Sequence, residues 1–248
     1  MRPLRVAARI AGLLAWLAIC LPAHGLARLF GRASPWPRRF LGGVGGIFGA
    51  RVSTAGLPLR GPTLLLANHQ SWLDILVLGG ALGARFVSKD AVNRWPGVGF
   101  LARCNRTLFI SREAKGSVLA QAEQLRAALA DPQPMALFPE GTTSDGRQVL
   151  AFRPSLLAAA CPGPPGLSVV PVAVDYGPAT DAIAWHGDEP VMRNVLRVLG
   201  RRGTFPVRVT VLPPVTGADR KTLARAAEQA IADALLRPLA SPPIARAA

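Results

Sequence analysis

The chain has 248 residues, a formal net charge of +15, and half of its residues hydrophobic against 17% charged. That is enough for one large domain with an appendage, and too apolar for a disordered chain. Three irregularly spaced cysteines (Cys20, Cys104, Cys161), no CxxC and no obvious repeat exclude disulfide-scaffold, zinc-site, collagen and coiled-coil classes.

Every basic residue is arginine except Lys89, Lys115 and Lys221. The guanidinium fork matches phosphate, so the charge points to a membrane face, a nucleic acid or an acidic carrier protein as partner. An odd number of scattered cysteines suits a reducing compartment.

Residues 10–27 contain no Asp, Glu, Lys or Arg, and IAGLLAWLAICLPA is almost wholly apolar. As a helix these roughly 18 residues reach about 27 Å, just short of a hydrocarbon core of about 30 Å. Arg2, Arg5 and Arg9 precede the run and Arg28 and Arg32 follow it, so the positive-inside rule gives no orientation. With the glycine-broken apolar patch at residues 40–50, the pattern predicts a membrane-associating helix or helix pair, suited to the interface at least as well as to a span. A basic start, a short apolar region and small residues at 23–25 also spell a secretory signal. The cysteines and the chemistry downstream favour the cytoplasmic side instead. Residues 1–50 are therefore read as a membrane-associating segment and residues 51–248 as the main domain.

Beyond it, short apolar runs read as strands: TLLLA at 63–67, ARFV at 84–87, TLFI at 107–110, MALF at 135–138, SVVPVAV at 168–174 and PVRVTVL at 206–212. Val118, Ala122, Leu125 and Leu129 recur at helical spacing between them, as do Leu223, Ala227, Ile231 and Leu235. This alternation predicts an α/β fold, a mixed, largely parallel sheet flanked by helices. Pro171 inside its run points to an edge strand or a bulge.

His24 lies in the apolar segment and His186 in a polar stretch, and both read as structural or surface residues. His69 instead follows a buried-looking strand directly, in Asn68-His69-Gln70-Ser71-Trp72-Leu73-Asp74. A strand end leading into a helix is where ligands meet an open α/β sheet. On one continuous helix His69 and Asp74 would lie about 140° apart. If the helix starts near Ser71, the loop can fold the imidazole onto the carboxylate and leave one ring nitrogen free as a base. Ser71-x-x-Asp74 can equally be a capping-box-like helix start.

Here the sequence resembles the glycerolipid acyltransferases, the family of bacterial 1-acylglycerol-3-phosphate acyltransferase, whose first motif is NHxxxxD. Phe109-Ile110-Ser111-Arg112, Phe138-Pro139-Glu140-Gly141-Thr142 and Val170-Pro171-Val172 resemble its second, third and fourth blocks in the family's order. The resemblance implies an O-acyltransferase with His69 and Asp74 catalytic and Arg112, Glu140, Gly141 and Thr142 binding substrate, with no metal and no bound cofactor. Acyl-CoA or acyl carrier protein serves as co-substrate, and the acceptor is a lysophospholipid at the cytoplasmic face of the cell membrane. The family's prototype implies 1-acylglycerol-3-phosphate giving phosphatidate.

Physics supports the same blocks. The first three end strands, so Asn68-His69, Ser111-Arg112 and Glu140-Gly141-Thr142 are expected to gather on one sheet edge. Arg112 offers a fork to an acceptor phosphate, and Gly141, Thr142 and Thr143 offer backbone N–H groups to an anion, particularly if a helix starts nearby. Glu140 is suited to orienting a hydroxyl or an arginine. One departure stands out: the family's third motif often reads EGTRS, and this chain has Thr143 where that arginine falls. Arg147 or Arg153 can replace the charge; otherwise a zwitterionic lysolipid such as lyso-ornithine lipid becomes the alternative acceptor. A non-catalytic basic protein binding membrane or nucleic acid is the distant alternative; it accounts for the charge and not for the strand-end cluster, and the chain lacks the basic-aromatic stripe that stacks bases, so no nucleic-acid partner is expected.

Overall fold

The uncharged amino-terminal run forms a single long helix, α1 (Arg2–Leu29), with Pro22 inside it. The structure is a computed structural model that describes residues 2–110 and 118–236, with the backbone alone over residues 118–122. Helix α2 (Trp36–Phe48) follows, and Gly49 caps it in the left-handed region at φ 100°. Strands β1 (Ala50–Gly56) and β2 (Thr63–Ala67), α3 (Leu73–Leu82), β3 (Arg85–Lys89), α4 (Asp90–Asn93), α5 (Val98–Cys104) and β4 (Leu108–Ile110) come next. The remainder is α6 (Val118–Leu129), β5 (Met135–Leu137), β6 (Ser168–Asp175), α7 (Thr180–Ile183), α8 (Val191–Leu199), β7 (Phe205–Val211) and α9 (Arg220–Leu236).

The strands make one seven-stranded sheet in the order β1-β7-β6-β2-β5-β3-β4, parallel throughout except where β6 meets β7. Consecutive β2 residues point to opposite faces, and both faces are covered. Leu65 and Ala67 join a core with Val44, Phe48, Val77, Phe86 and Phe205 beneath α2 and α3. Leu64 and Leu66 join Leu125, Leu129, Leu157, Leu223 and Ile231 beneath α6 and α9. The predicted mixed, largely parallel α/β sheet is therefore the fold.

Pro171 is the exception to the expectations. Strand β6 is interior, between β7 and β2. The Pro171 carbonyl accepts from the Leu212 N–H at 3.0 Å, one residue past the end of β7. The side on which proline lacks a donor is thus where the β7 ladder has not yet begun, so an interior strand tolerates it.

Three points tie α1 to the domain. Arg9 donates to the carbonyls of Val198, Leu199 and Gly203, and Arg5 to that of Gly200, at the carboxy end of α8. The Trp16 indole donates to the Phe40 carbonyl on α2, and His24 Nδ1 shares a 2.8 Å hydrogen bond with Ser34 Oγ. The other face of α1 exposes Leu4, Ile10, Leu14, Ile19 and Leu26, and the helix is long and apolar enough to cross a membrane. Helix α2 presses on α3 through glycine: a Cβ on Gly80 would sit 2.5 Å from Gly42 Cα, so the two backbones touch there.

Candidate active site

Strand β2 ends at Ala67, and Asn68 extends its pairing by side chain: its amide accepts from the Val174 N–H at 2.8 Å and donates to the Val174 carbonyl at 3.0 Å. The chain then leaves the sheet rigidly at His69. The His69 N–H donates to Glu140 Oε1 at 2.9 Å, and its carbonyl accepts from the Ser144 N–H at 2.8 Å. The ring stacks on Phe138, with centroids 3.9 Å apart and planes 15° from parallel. Backbone and ring are both clamped, and the side chain keeps 17% of its surface open to solvent.

The loop does fold back. His69 Nδ1 lies 2.8 Å from Asp74 Oδ2, and Asp74 sits fully buried in the first turn of α3. The same oxygen accepts the N–H groups of Gln70 and Ser71 at 2.8 and 2.9 Å. The carboxylate thus takes the Ser71 N–H, one half of a capping box, while it pairs with the imidazole; Ser71 Oγ accepts from the Leu73 N–H at 3.3 Å instead of from Asp74. A carboxylate only accepts, so Nδ1 carries the proton and Nε2 of the neutral ring is a free acceptor. Among the described residues Nε2 has no hydrogen-bond partner.

Asp74 Oδ1 is held by a residue the sequence reading passed over. The Tyr176 hydroxyl donates to it at 2.6 Å, and Tyr176 is fully buried. Burial and the adjacent Asp74 charge push the phenol well above its ordinary range, so it stays protonated and donating. Its signal in the sequence was slight: the chain's single tyrosine, directly after β6.

Glu140, just past β5, is 2% exposed. Burial pushes its carboxyl up to about 8, aided by the negative charges of Asp74 and Glu228 and opposed by the His69 and Leu150 N–H groups. Its Oε2 has no hydrogen-bond partner among the described residues. Neither an arginine nor another cation pairs with it there; it holds backbone. Between its ordinary 4.5 and about 8, the folded chain keeps a proton that the unfolded chain has released. Stability is therefore full below the lower value and falls as pH rises through the upper one, by about 1.4 kcal/mol per unit. Glu140→Gln, neutral at every pH, is expected to flatten that slope in circular-dichroism melts taken from about pH 5 to about pH 8; equal slopes in both proteins would refute the assignment.

Gly141 follows with φ 73°, and a Cβ there would sit 3.1 Å from the Arg153 guanidinium. Arg153 thus lies over the glycine, whereas Arg147 turns away to an exposed ion pair with Asp181. The Thr142 and Thr143 N–H groups bond to no backbone or side-chain acceptor among the described residues. No helix starts directly beside them: the loop runs in turns to a short 3-10 segment at Pro154–Leu157. Arg112 lies outside the described residues. Behind the site, Trp72 is wedged edge-on to Phe48, and its indole donates to Asn194 Oδ1 on α8 at 2.9 Å.

Residues 51–175 match the family described as Acyltransferase. The chain belongs to that family. This acyltransferase is similar over nearly its whole length to a Pseudomonas aeruginosa protein named lyso-ornithine lipid O-acyltransferase: 34% identity, covering 96% of this chain and 92% of the relative. A Brucella abortus protein of the same name is 36% identical over 76% of this chain and 77% of its own. A Neisseria meningitidis 1-acyl-sn-glycerol-3-phosphate acyltransferase is 31% identical over 46% of this chain. The acyltransferase shares its fold with the crystal structure of the Thermotoga maritima enzyme PlsC, at a TM-score of 0.63 and 20% identity over 95% of this chain and 96% of that one.

Proposed function

We propose that the acyltransferase esterifies the free hydroxyl of lyso-ornithine lipid with a fatty acyl group from an acyl thioester of CoA or acyl carrier protein. The observation that carries acyl transfer is the 2.8 Å His69–Asp74 hydrogen bond on a ring whose other nitrogen is free. His69 Nε2 takes the hydroxyl proton as the oxygen attacks the thioester carbonyl, and Asp74 steadies the imidazolium. The tetrahedral oxyanion collapses, the C–S bond breaks, and the thiolate leaves with the proton from Nε2. Tyr176 keeps Asp74 in place, and Glu140 fixes the His69 backbone. Gly141 and Thr142 line the acceptor site, where the unspent Thr142 and Thr143 N–H groups are offered to the oxyanion or the headgroup. In this division of labour residues 1–50 hold the enzyme on the cytoplasmic face of the membrane and residues 51–248 do the chemistry.

Two observations favour lyso-ornithine lipid over 1-acylglycerol-3-phosphate. Relatives matched over three quarters of the chain or more carry that substrate in their names, and Thr143 stands where the family often has arginine. Arg153, lying over Gly141, supplies a cation suited to the carboxylate of a zwitterion. Purified enzyme given each lysolipid with acyl-CoA and with acyl carrier protein, and read by product mass, is expected to consume lyso-ornithine lipid at least tenfold faster. Arg153→Ala is expected to raise KM for it with kcat little changed. A preference for 1-acylglycerol-3-phosphate would overturn the acceptor assignment and leave the acyl-transfer chemistry standing.

A further inference from the structure

Between β3 and β4 the chain builds a rigid apolar tip. Trp95, Val98 and Phe100 are 48%, 47% and 46% exposed, and Pro96 and Gly97 beside them are exposed too. Single exposed apolar side chains are ordinary, whereas a cluster at the end of a short turn marks an interaction surface.

The backbone beneath is fixed. The Trp95 N–H donates to the Val92 carbonyl at 3.1 Å, Gly99 to Trp95 at 2.9 Å and Leu101 to Gly97 at 3.0 Å. A Cβ on buried Gly99 would fall 2.0 Å from the Asn93 carbonyl oxygen, so glycine lets α4 and α5 close on each other and drive the three side chains outward. Exposed Lys89, Arg94 and Arg103 surround the tip, and Asp90, 3.4 Å from Arg94, is the acid among them.

We propose that residues 94–100 are a second membrane contact, with Trp95, Val98 and Phe100 entering the interfacial layer of an anionic bilayer and Lys89, Arg94 and Arg103 meeting lipid phosphates. Tryptophan and phenylalanine ringed by Lys and Arg is the composition of a membrane-interface anchor. Position gives a second argument. Strand β3 runs parallel to β5, and β5 to β2, so α4 leaves the sheet at the edge where His69 leaves it. A tip embedded there turns the His69 edge toward the lipid that bears the acceptor. A soluble acidic carrier would use the basic rim and have no use for the aromatic tip.

The test uses the full chain, on vesicles of phosphatidylethanolamine and phosphatidylglycerol with brominated acyl chains. The emission lost on Trp95→Phe isolates Trp95; it is expected to be quenched by brominated lipid. No turnover is involved, so this outcome is independent of the acyl-transfer reading. Trp95 emission unaffected by bromine while the other tryptophans are quenched would overturn the proposal. In a second arm, the double variant Trp95→Ser, Phe100→Ser is expected to lose about tenfold of its activity on vesicle-borne acceptor and none on the same acceptor dispersed in detergent. A loss seen with acyl carrier protein in both settings and absent with acyl-CoA would assign the tip to the carrier and overturn the membrane contact.

Discussion

His69→Ala is expected to lower kcat by about 10²–10⁴-fold, the worth of a positioned base, while the chain still folds, with a modestly lowered thermal transition. The asymmetry follows from how the residue is held. Its backbone bonds to Glu140 and Ser144 do not involve the ring and survive the substitution. The ring is partly open to solvent and contributes the Asp74 hydrogen bond and one stacking contact, on Phe138. Asp74 keeps its Gln70, Ser71 and Tyr176 donors. Initial rates with saturating thioester, beside circular-dichroism melts, check both halves. A folded variant with near-parental kcat would remove His69 from the chemistry.

Substitutions at Asp74 are expected to cost both rate and fold. The carboxylate has no solvent exposure, and removing it strands the Gln70 and Ser71 N–H groups, the Tyr176 hydroxyl and the His69 Nδ1 proton. Each unsatisfied buried donor costs about 1–3 kcal/mol, with incomplete additivity, so Asp74→Ala is expected to lower stability by several kcal/mol. Asp74→Asn keeps the shape: its carbonyl oxygen stays with the Gln70 and Ser71 N–H groups and Nδ1, and its NH2 faces the Tyr176 hydroxyl, which can rotate to accept. The negative charge that steadies the imidazolium is lost, so kcat is expected to fall by on the order of 10²–10⁴, the worth of the base it supports. Tyr176→Phe removes the Oδ1 donor alone: a stability loss of about 1.5–3 kcal/mol, as for a hydrogen bond to a charged group, and a kcat loss smaller than that of Asp74→Asn. If the two variants proved equal in kcat, Tyr176 would be touching substrate rather than positioning Asp74.

Much of this site was legible in the sequence because its parts are local. Asn68 to Asp74 lies within one strand-to-helix turn, and an apolar run giving way to polar residues marks that turn plainly. What was illegible depends on distant pairing. Strand β1 exposes every residue except Ala50, so it carries no alternation, and it exists because β7 pairs with it from far along the chain. Pro171 reads as an edge or bulge signal because composition cannot tell which side of a strand is already unpaired. Tyr176 meets Asp74 across the parallel β2–β6 pairing, and spacing along the chain has no means of showing it. The α4–α5 tip offers a run too short and too glycine-rich for either period.

The grip of Arg5 and Arg9 on the last carbonyls of α8 bears on how this enzyme can be re-engineered. An unrelated transmembrane anchor grafted in place of α1 would keep the polypeptide on lipid yet deprive those oxygens of their donors. Because Asn194 of that same helix receives the Trp72 indole, the graft would loosen the scaffold behind the histidine loop. With α1 as the proposed tether, tethering and catalysis become in this respect one mechanical part, and a chimera swapped at residue 30 inherits an anchor without its bracket.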